Sequence, residues 1–433
     1  MIVRISDLAS HVDGEVTIQG WMFNKRGSGK IYFLQLRDGS GMTQGVVSSG
    51  DVSAEVMAKA EQLQMESSCR VTGKVSKHPK FDDVFELQVT DIEIIHVPIE
   101  EYPISKKEHG VDFLLDNRHL WLRSKRQWAI MRVRDELFFS LISFLREESF
   151  TRIDAPILQP TSCEDTSELF EIDFFGEPTY LTQSGQLYIE AAEMSLGRVY
   201  DFGPVFRAEK SKTRKHLNEF WMMDAELPFE GLDEMMDFIE KMMKRLTSDV
   251  LKNRAKELKI LERDVAPLER VRDKSFIRMK HKEVIELLND EFDAGLTLVD
   301  DIGAPEEDML AKKFDMPVFV SDWPAEIKAF YMPHFNDGEM DRVRAMDLIG
   351  IEGYGELVGG AEREWEYDKL VKTMKDRGYK MEDYDWYLDL RRYGSIPHSG
   401  FGLGLERMIA WLCGIHHVRE TIPFPRMLTR MRP

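Results

Sequence analysis

The chain has 433 residues, 43 % hydrophobic, 31 % charged and 10 % aromatic, with a formal net charge of −19. This composition excludes a disordered or fibrous chain and predicts two or three globular domains with a substantial core. The acidic balance excludes a uniformly basic nucleic-acid coat but leaves room for local basic patches. Cys69, Cys163 and Cys413 are far apart and form no CxxC pair, so a reducing, cytoplasmic setting is expected. The first residues, MIVRISDLAS, lack the apolar core of a leader peptide, and no run of about 18 apolar residues predicts a membrane span.

In residues 1–97, short alternating runs separated by Gly and Asp predict five strands: EVTIQGWMFN, IYFLQLRDGSG, TQGVVSSG, SSCRVTGKVS and VFELQVTDIEII. One helix is predicted at SAEVMAKAEQLQ. That count suits a small Greek-key barrel of the OB type, with a sandwich as the alternative. Residues 98–126 carry prolines and charges with little periodicity and read as a hinge. From Gln127 to Phe150, apolar residues at Ile130, Val133, Leu137, Leu141, Phe144 and Leu145 predict a helix. TRIDAPILQP then reads as a strand with Pro156 at an edge or bulge. Over 127–433 strands and helices alternate without a regular βαβ repeat, and neither a P-loop nor a Rossmann fingerprint occurs. The expected fold class is α+β: the barrel, then a mainly antiparallel sheet flanked by helices. Residues 229–325 read as a charged, insertion-like helical region.

Three stretches carry chemistry. VFRAEKSKTRKHLNEFWMMDAE places Arg207 at a strand end, then a basic loop, then a returning strand. A local positive patch in an acidic chain suits phosphates, and an aromatic beside it suits a base. GFGLGLERMIAWLCGIHHVRETIPFPR alternates glycines before Arg407. Glycines there permit close backbone approach, and an arginine at such a junction suits a terminal phosphate. GYGELVGGAERE sets Glu356 among glycines with Arg363 seven residues on, which suggests Mg²⁺. Taken singly, the plainer readings are a solvated loop and tight packing.

Taken together, these stretches resemble motifs 2 and 3 of class II aminoacyl-tRNA synthetases. AIMRVRDELFFSLISFLREESFTRIDAPIL resembles their motif 1, the helix and strand of the homodimer interface. The resemblance spans nearly the whole chain and is closest to the aspartyl/asparaginyl subgroup. SGQLYIEAA, YGELVGGAERE, WYLDLRRYGSIPHSGFGLGLER and IPFPR most resemble asparaginyl enzymes of the compact archaeal type.

The resemblance implies an ATP-dependent asparagine–tRNA ligase. Arg207 would hold the α-phosphate of ATP and Arg407 the γ-phosphate, with Phe220 stacked on adenine opposite Arg407. Glu209, Arg214 and His216 would hold nucleotide and acceptor end, against the glycines Gly402 and Gly404. Glu356 would bind Mg²⁺ with Asp347 in support; Gly359 stands where aspartyl relatives have a serine ligand. Glu164, Ser184 and Gln186 would meet the amino acid's common end. Ile189 takes the place of a lysine that in aspartyl relatives pairs with the substrate carboxylate, which disfavours aspartate. Arg363 would donate to the side-chain oxygen, and Asp224 would accept from the amide. Asparaginyl enzymes usually carry glutamate at Asp224, whose side chain is about 1.5 Å shorter. An aspartyl-tRNA synthetase therefore stands as the runner-up, ahead of a tRNA-independent asparagine synthetase, whose relatives lack the barrel. In the barrel the resemblance implies that Phe33 stacks an anticodon base, with Gln44 on its edge and Arg26 nearby. Residues 1–100 carry 10 Lys+Arg and 14 Asp+Glu, a net of −4, so shape rather than bulk charge would dominate there.

Overall fold

The computed structural model describes residues 1–81, 84–105, 107–163 and 168–433. It divides into two compact units, Met1–Gly110 and Val111–Pro433. In the first, β1 (Glu15–Ser28), β2 (Ile31–Asp38), β3 (Gly41–Ser48), α1 (Ala54–Gln62), β4 (Ser68–Lys77) and β5 (Phe85–His96) follow the predicted order. The strands close into a barrel in the order β1-β2-β3-β5-β4. Alternate residues fill it: Val16, Ile18 and Met22, then Tyr32, Leu34 and Leu36, with Val71, Val75, Leu87 and Ile92 opposite. Closure needs Gly20, where a Cβ would lie 2.2 Å from the Arg37 carbonyl oxygen.

The segment expected as one hinge over 98–126 is not a single loop. Its second half forms α2 (Val111–Asp116) and α3 (Arg118–Trp121) and belongs to the second unit. Arg118, which is 1 % exposed, anchors α3 there. It donates to the carbonyls of Pro423 at 2.8 Å, Ile422 at 2.8 Å and Glu420 at 3.2 Å. Burial pushes this guanidinium down to about 10. Helix α4 (Lys125–Glu147) is capped by Ser124, whose hydroxyl oxygen accepts from the Gln127 N–H. Its predicted stripe is buried in the core. The strand expected at TRIDAPILQP breaks around Pro156 into β6 (Thr151–Arg152) and β7 (Leu158–Gln159). The two lie in different sheets, because proline offers no N–H to continue one ladder.

β8 (Glu171–Phe174) and β9 (Glu177–Leu181) join β7 in a three-stranded sheet, and α5 (Gln186–Leu196) leads to the hairpin of β10 (Val199–Phe206) and β11 (Glu219–Pro228). The region read as insertion-like is instead integral. α6 (Leu232–Asn253) buries Met235, Ile239, Met242, Met243, Leu246 and Val250, its charges lying on the outer face. α7 (Ala255–Ile260), α8 (Ala266–Asp273), β12 (Ile277–Lys280), α9 (His281–Phe292), α10 (Ala304–Lys313) and β13 (Val318–Pro324) follow. The chain ends through β14 (His334–Asn336), β15 (Asp341–Gly350), β16 (Gly355–Arg363), α11 (Tyr367–Asp376), α12 (Asp385–Arg392), β17 (His398–Gly404) and α13 (Leu405–Cys413). The main sheet runs β12-β13-β15-β16-β17-β11-β10-β6, with β14 on β15. Among the described residues, only its β12/β13 and β10/β6 pairs are parallel. Glu406 of α13 accepts from Arg134 of α4 at 2.6 Å and from the Trp221 N–H of β11 at 2.9 Å, tying helix, helix and sheet. Among the described residues no helix is long and apolar enough to cross a membrane.

His281 opens α9 fully buried, 4.9 Å from the Trp323 ring, with Nε2 on the Asp300 carbonyl at 2.9 Å. Burial holds its pKa down to about 4, below the unfolded value of about 6.5. Its stabilisation is therefore complete above pH 6.5 and lost as pH falls toward 4. Melting temperatures of wild type and His281→Gln are expected to converge across that window; a gap constant from pH 7 to pH 4.5 refutes this.

Candidate active site

Two cavities adjoin on one face of the main sheet in the second unit. The first, about 100 Å³, is lined by Arg207, His216, Phe220, Gly402, Gly404 and Arg407, with Lys215 and Glu356 at its side. β10 delivers Arg207 as it ends, and the Arg207 N–H donates to the Asn218 carbonyl at 3.0 Å. The guanidinium lies 5.5 Å over the Phe220 ring. Its Nε is buried with no partner among the described residues. Arg407, in the first turn of α13, donates through Nη1 to the Glu356 carbonyl and stands 3.9 Å from the Glu356 carboxylate. Burial, with the Arg407 charge adding, pushes His216 below its usual range. Arg214 turns to His416, Nη1 to Nδ1 at 2.8 Å, and lines a neighbouring cavity with Arg407. Glu209 lines neither main cavity; its carbonyl accepts from Asn218 at 3.1 Å.

The second cavity, about 390 Å³, shares Arg207, Met222, Glu356 and Gly402 with the first. Its wall brings together Ser184, Gln186, Asp224, Asp347 and Arg363. Asp224 accepts through Oδ2 from the Ser184 hydroxyl at 2.8 Å and the Gly185 N–H at 2.9 Å. It thereby fixes the turn that starts α5. Gly402, opposite on β17, allows this: a Cβ there would lie 2.8 Å from Asp224 Oδ1. Ile189 departs from expectation. It is fully buried in α5, one turn beyond Gln186, and does not line the cavity. Glu164 lies outside the described residues.

Sequence reasoning missed the layer behind Arg363. Glu226 is fully buried and accepts twice from Arg363, from Nη2 at 2.7 Å and Nε at 3.2 Å. Glu190 stands 4.0 Å from Arg363 Nε. It accepts from Gln186 Nε2 at 3.2 Å, Arg391 at 2.8 Å and Tyr387 at 2.8 Å. Burial would raise the Glu190 carboxyl, but Arg391, His398 and Arg363 hold it well below the usual range. Glu193 is the reverse case: burial, with the charges of Glu226 and Glu190, pushes it up to about 10. The result is a balanced buried network in which Arg363 meets the cavity with its charge already matched.

Asp347 and Glu356 face the same space: a Cβ at Gly359 would lie 2.6 Å from Glu356 Oε1 and 3.5 Å from Asp347 Oδ1. Two hard oxygen donors at one wall fit a divalent cation such as Mg²⁺. Lys328, which no motif marked, takes part: its Nζ donates to Asp347 Oδ2 at 2.6 Å and lies 3.9 Å over the Trp323 ring. Burial, with the Glu356 charge adding and Lys328 opposing, raises Asp347 to about 7.

On the barrel, Arg26 pairs with Phe33 across β1 and β2, and Gln35 with Gln44 across β2 and β3. Phe33 is half-buried on the outer face while Tyr32 faces the core. Gln44 donates to Glu86 at 3.1 Å and Asn24 to Gln35 at 3.2 Å. Arg26, Phe33 and Gln44 thus share one face with Asn24, Gln35 and Glu86.

The mainly antiparallel sheet thus sets Arg207 past the end of β10, Phe220 on β11 and Arg407 at the start of α13 around one cleft. The chain belongs to the class II tRNA synthetases (D, K and N), whose family model matches residues 110–428, and an OB-fold nucleic acid binding domain matches residues 16–95. It is 49 % identical over 440 residues to the asparagine–tRNA ligase of Thermus thermophilus, covering 100 % of both chains. Asparaginyl-tRNA synthetase from Pyrococcus horikoshii, solved with asparaginyl-adenylate, superposes with a TM-score of 0.94 at 37 % identity, over 100 % of this chain and 99 % of that one. A putative aspartyl-tRNA synthetase from Leishmania major reaches a TM-score of 0.87 at 26 % identity, over 100 % of this chain and 95 % of that one.

Proposed function

We propose that the chain is an asparagine–tRNA ligase that activates L-asparagine with ATP and transfers it to the 3′ end of tRNA(Asn). The observation that carries this reading is the adjoining pair of cavities sharing Arg207 and Glu356. Nucleotide occupies the first, between Phe220 and Arg407, with His216 and Gly404 at its wall. Asparagine occupies the second. Its α-carboxylate attacks the α-phosphorus of ATP, pyrophosphate leaves, and the tRNA 3′-terminal hydroxyl then attacks the adenylate carbonyl to release AMP.

No side chain serves as nucleophile. Arg207 sits where both substrates meet and neutralises the α-phosphate, while Arg407 holds the γ-phosphate end. Glu356 and Asp347 would hold Mg²⁺, which when bound supplies charge neutralisation on the phosphates. Ser184, Gln186 and Glu164 meet the α-amino and carboxylate end, Arg363 donates to the side-chain oxygen, and Asp224 accepts from the side-chain amide. Because Glu226 already balances Arg363, a neutral amide enters at less cost than a second carboxylate. Arg214 and Glu209 serve the nucleotide's outer end and the tRNA acceptor end.

Arg26, Phe33 and Gln44 read the anticodon loop by stacking and edge hydrogen bonds. The enzyme works as a cytoplasmic homodimer through α4 and the strand after it. Phe139 at 61 % exposure, and Ile157 and Leu158 at 43 % each, support that face as an interface. ATP–pyrophosphate exchange with asparagine and aspartate in parallel tests the reading. Asparagine is expected to exceed aspartate by about 100-fold or more in kcat/KM; equal use, or a preference for aspartate, overturns it.

A further inference from the structure

Glu307 lies in the region whose contribution was not legible from sequence, in the first turn of α10. It is 9 % exposed and lines neither main cavity, yet it touches two residues that do. Oε2 accepts from Lys215 Nζ at 2.8 Å. Oε1 accepts from the backbone N–H of Glu356 at 2.8 Å. The neighbouring Asp308 adds to the first contact, its Oδ1 lying 3.6 Å from Lys215 Nζ and 3.9 Å from Arg214 Nη2.

The approach is built from both sides. Gly355 sits at φ +74°, and a Cβ there would lie 2.5 Å from Glu307 Oε2. A side chain at 355 would be strained by that φ and would collide with the carboxylate. The main chain of Glu356 is thereby gripped at both ends, its N–H by Glu307 and its carbonyl by Arg407. One carboxylate thus links the basic loop, the Glu356 turn and, through that turn, Arg407.

Electrostatics make this link useful. Arg207, Lys215 and Arg407 line one small cavity and repel one another. The stretch that carries Lys215, residues 207–218, has no helix or strand to hold it. Glu307 supplies counter-charge outside the space a nucleotide needs, so the loop stays docked while the cations remain facing inward.

We propose that Glu307 is a positioning residue for the nucleotide half of the reaction, holding the Lys215 loop and the Glu356 carboxylate in register. This rests on the adenylate-forming reading above. The test compares wild type, Glu307→Ala and Glu307→Gln by steady-state ATP–pyrophosphate exchange and by amide hydrogen exchange of peptides covering 208–217. Glu307→Ala is expected to raise KM for ATP about 10-fold, with KM for asparagine changed by less than about 2-fold, as loss of a semi-buried ion pair and a hydrogen bond implies. Loop amides should exchange faster in the unliganded protein. Glu307→Gln keeps an acceptor for the Glu356 N–H but loses the charge, and it should fall between the two; it carries the test if the alanine variant does not fold. Equal rises in both KM values, or an unchanged KM for ATP with unchanged loop exchange, overturn the proposal. Loop exchange needs no turnover. Wild type inactive with asparagine would sink the adenylate-forming reading, while the loop would still report whether Glu307 holds it.

Discussion

Replacing Arg207 by alanine is expected to lower asparagine-dependent ATP–pyrophosphate exchange by about 10²–10³-fold, the usual cost of one preorganised donor to a charged transition state. The argument begins with position. Arg207 borders both cavities, where on the proposed reading carboxylate and α-phosphate would meet. It continues with an unmet bond: Nε is buried and has no partner among the described residues. A buried donor left open costs about 1–3 kcal/mol, and an incoming phosphate oxygen would repay that cost. The fold does not lean on the side chain, because the segment is held by main-chain and Asn218 bonds at Arg207 and Glu209. Unfolding temperature and tRNA affinity should therefore stay near wild type. Residual exchange within 10-fold of wild type would remove Arg207 from the reaction.

The second large effect concerns Glu226→Gln. In the native site Arg363 spends two N–H groups on Glu226 at 2.7 and 3.2 Å. With glutamine the guanidinium keeps its charge and loses its matched anion. That charge then favours a substrate carboxylate over a carboxamide. The ratio of kcat/KM for asparagine to that for aspartate is expected to fall by about 10-fold or more, the scale on which buried charge pairing discriminates. The readout is the ratio, so a general loss of activity does not mimic it. An unchanged ratio in a folded variant would mean that selection resides in the Asp224 wall instead.

These two residues also show where sequence reasoning stops. Arg207, Glu356, Arg363 and Arg407 were legible because each sits inside a local motif whose spacing survives folding. Glu226 was not, since it meets Arg363 from 137 positions away. Asp224 and Glu226 are two apart on β11, so both point to the same face. Only the register with β17 separates them, setting Asp224 opposite Gly402 and Glu226 opposite Gly400. A Cβ at Gly400 would lie 2.1 Å from Glu226 Oε1, so that glycine makes the deeper seat. Ile189 was misplaced for a related reason. Helix α5 begins at Gln186, so Ile189 follows one turn later on the same side, but fully buried and beyond the cavity wall that Gln186 lines. Lys328 lay beyond reach because no motif contains it and its partner Asp347 is 19 positions away. The barrel was legible strand by strand, since alternation and glycine breaks report a half-buried strand directly.

The grip of Arg118 on the carbonyls near Pro423 has a consequence for how the chain is made. The donor and its farthest acceptor are 305 positions apart. At about 5–20 residues per second, roughly 15–60 s separate their synthesis. Through that interval the guanidinium stays hydrated, and α3 has no reason to bury it. The barrel closes entirely from residues already made, whereas the Arg118 contact waits for residues made near the end of the chain. A nascent chain stalled before residue 420 would carry a finished anticodon-reading module beside an unlatched catalytic one, able to engage a tRNA loop before it could charge it.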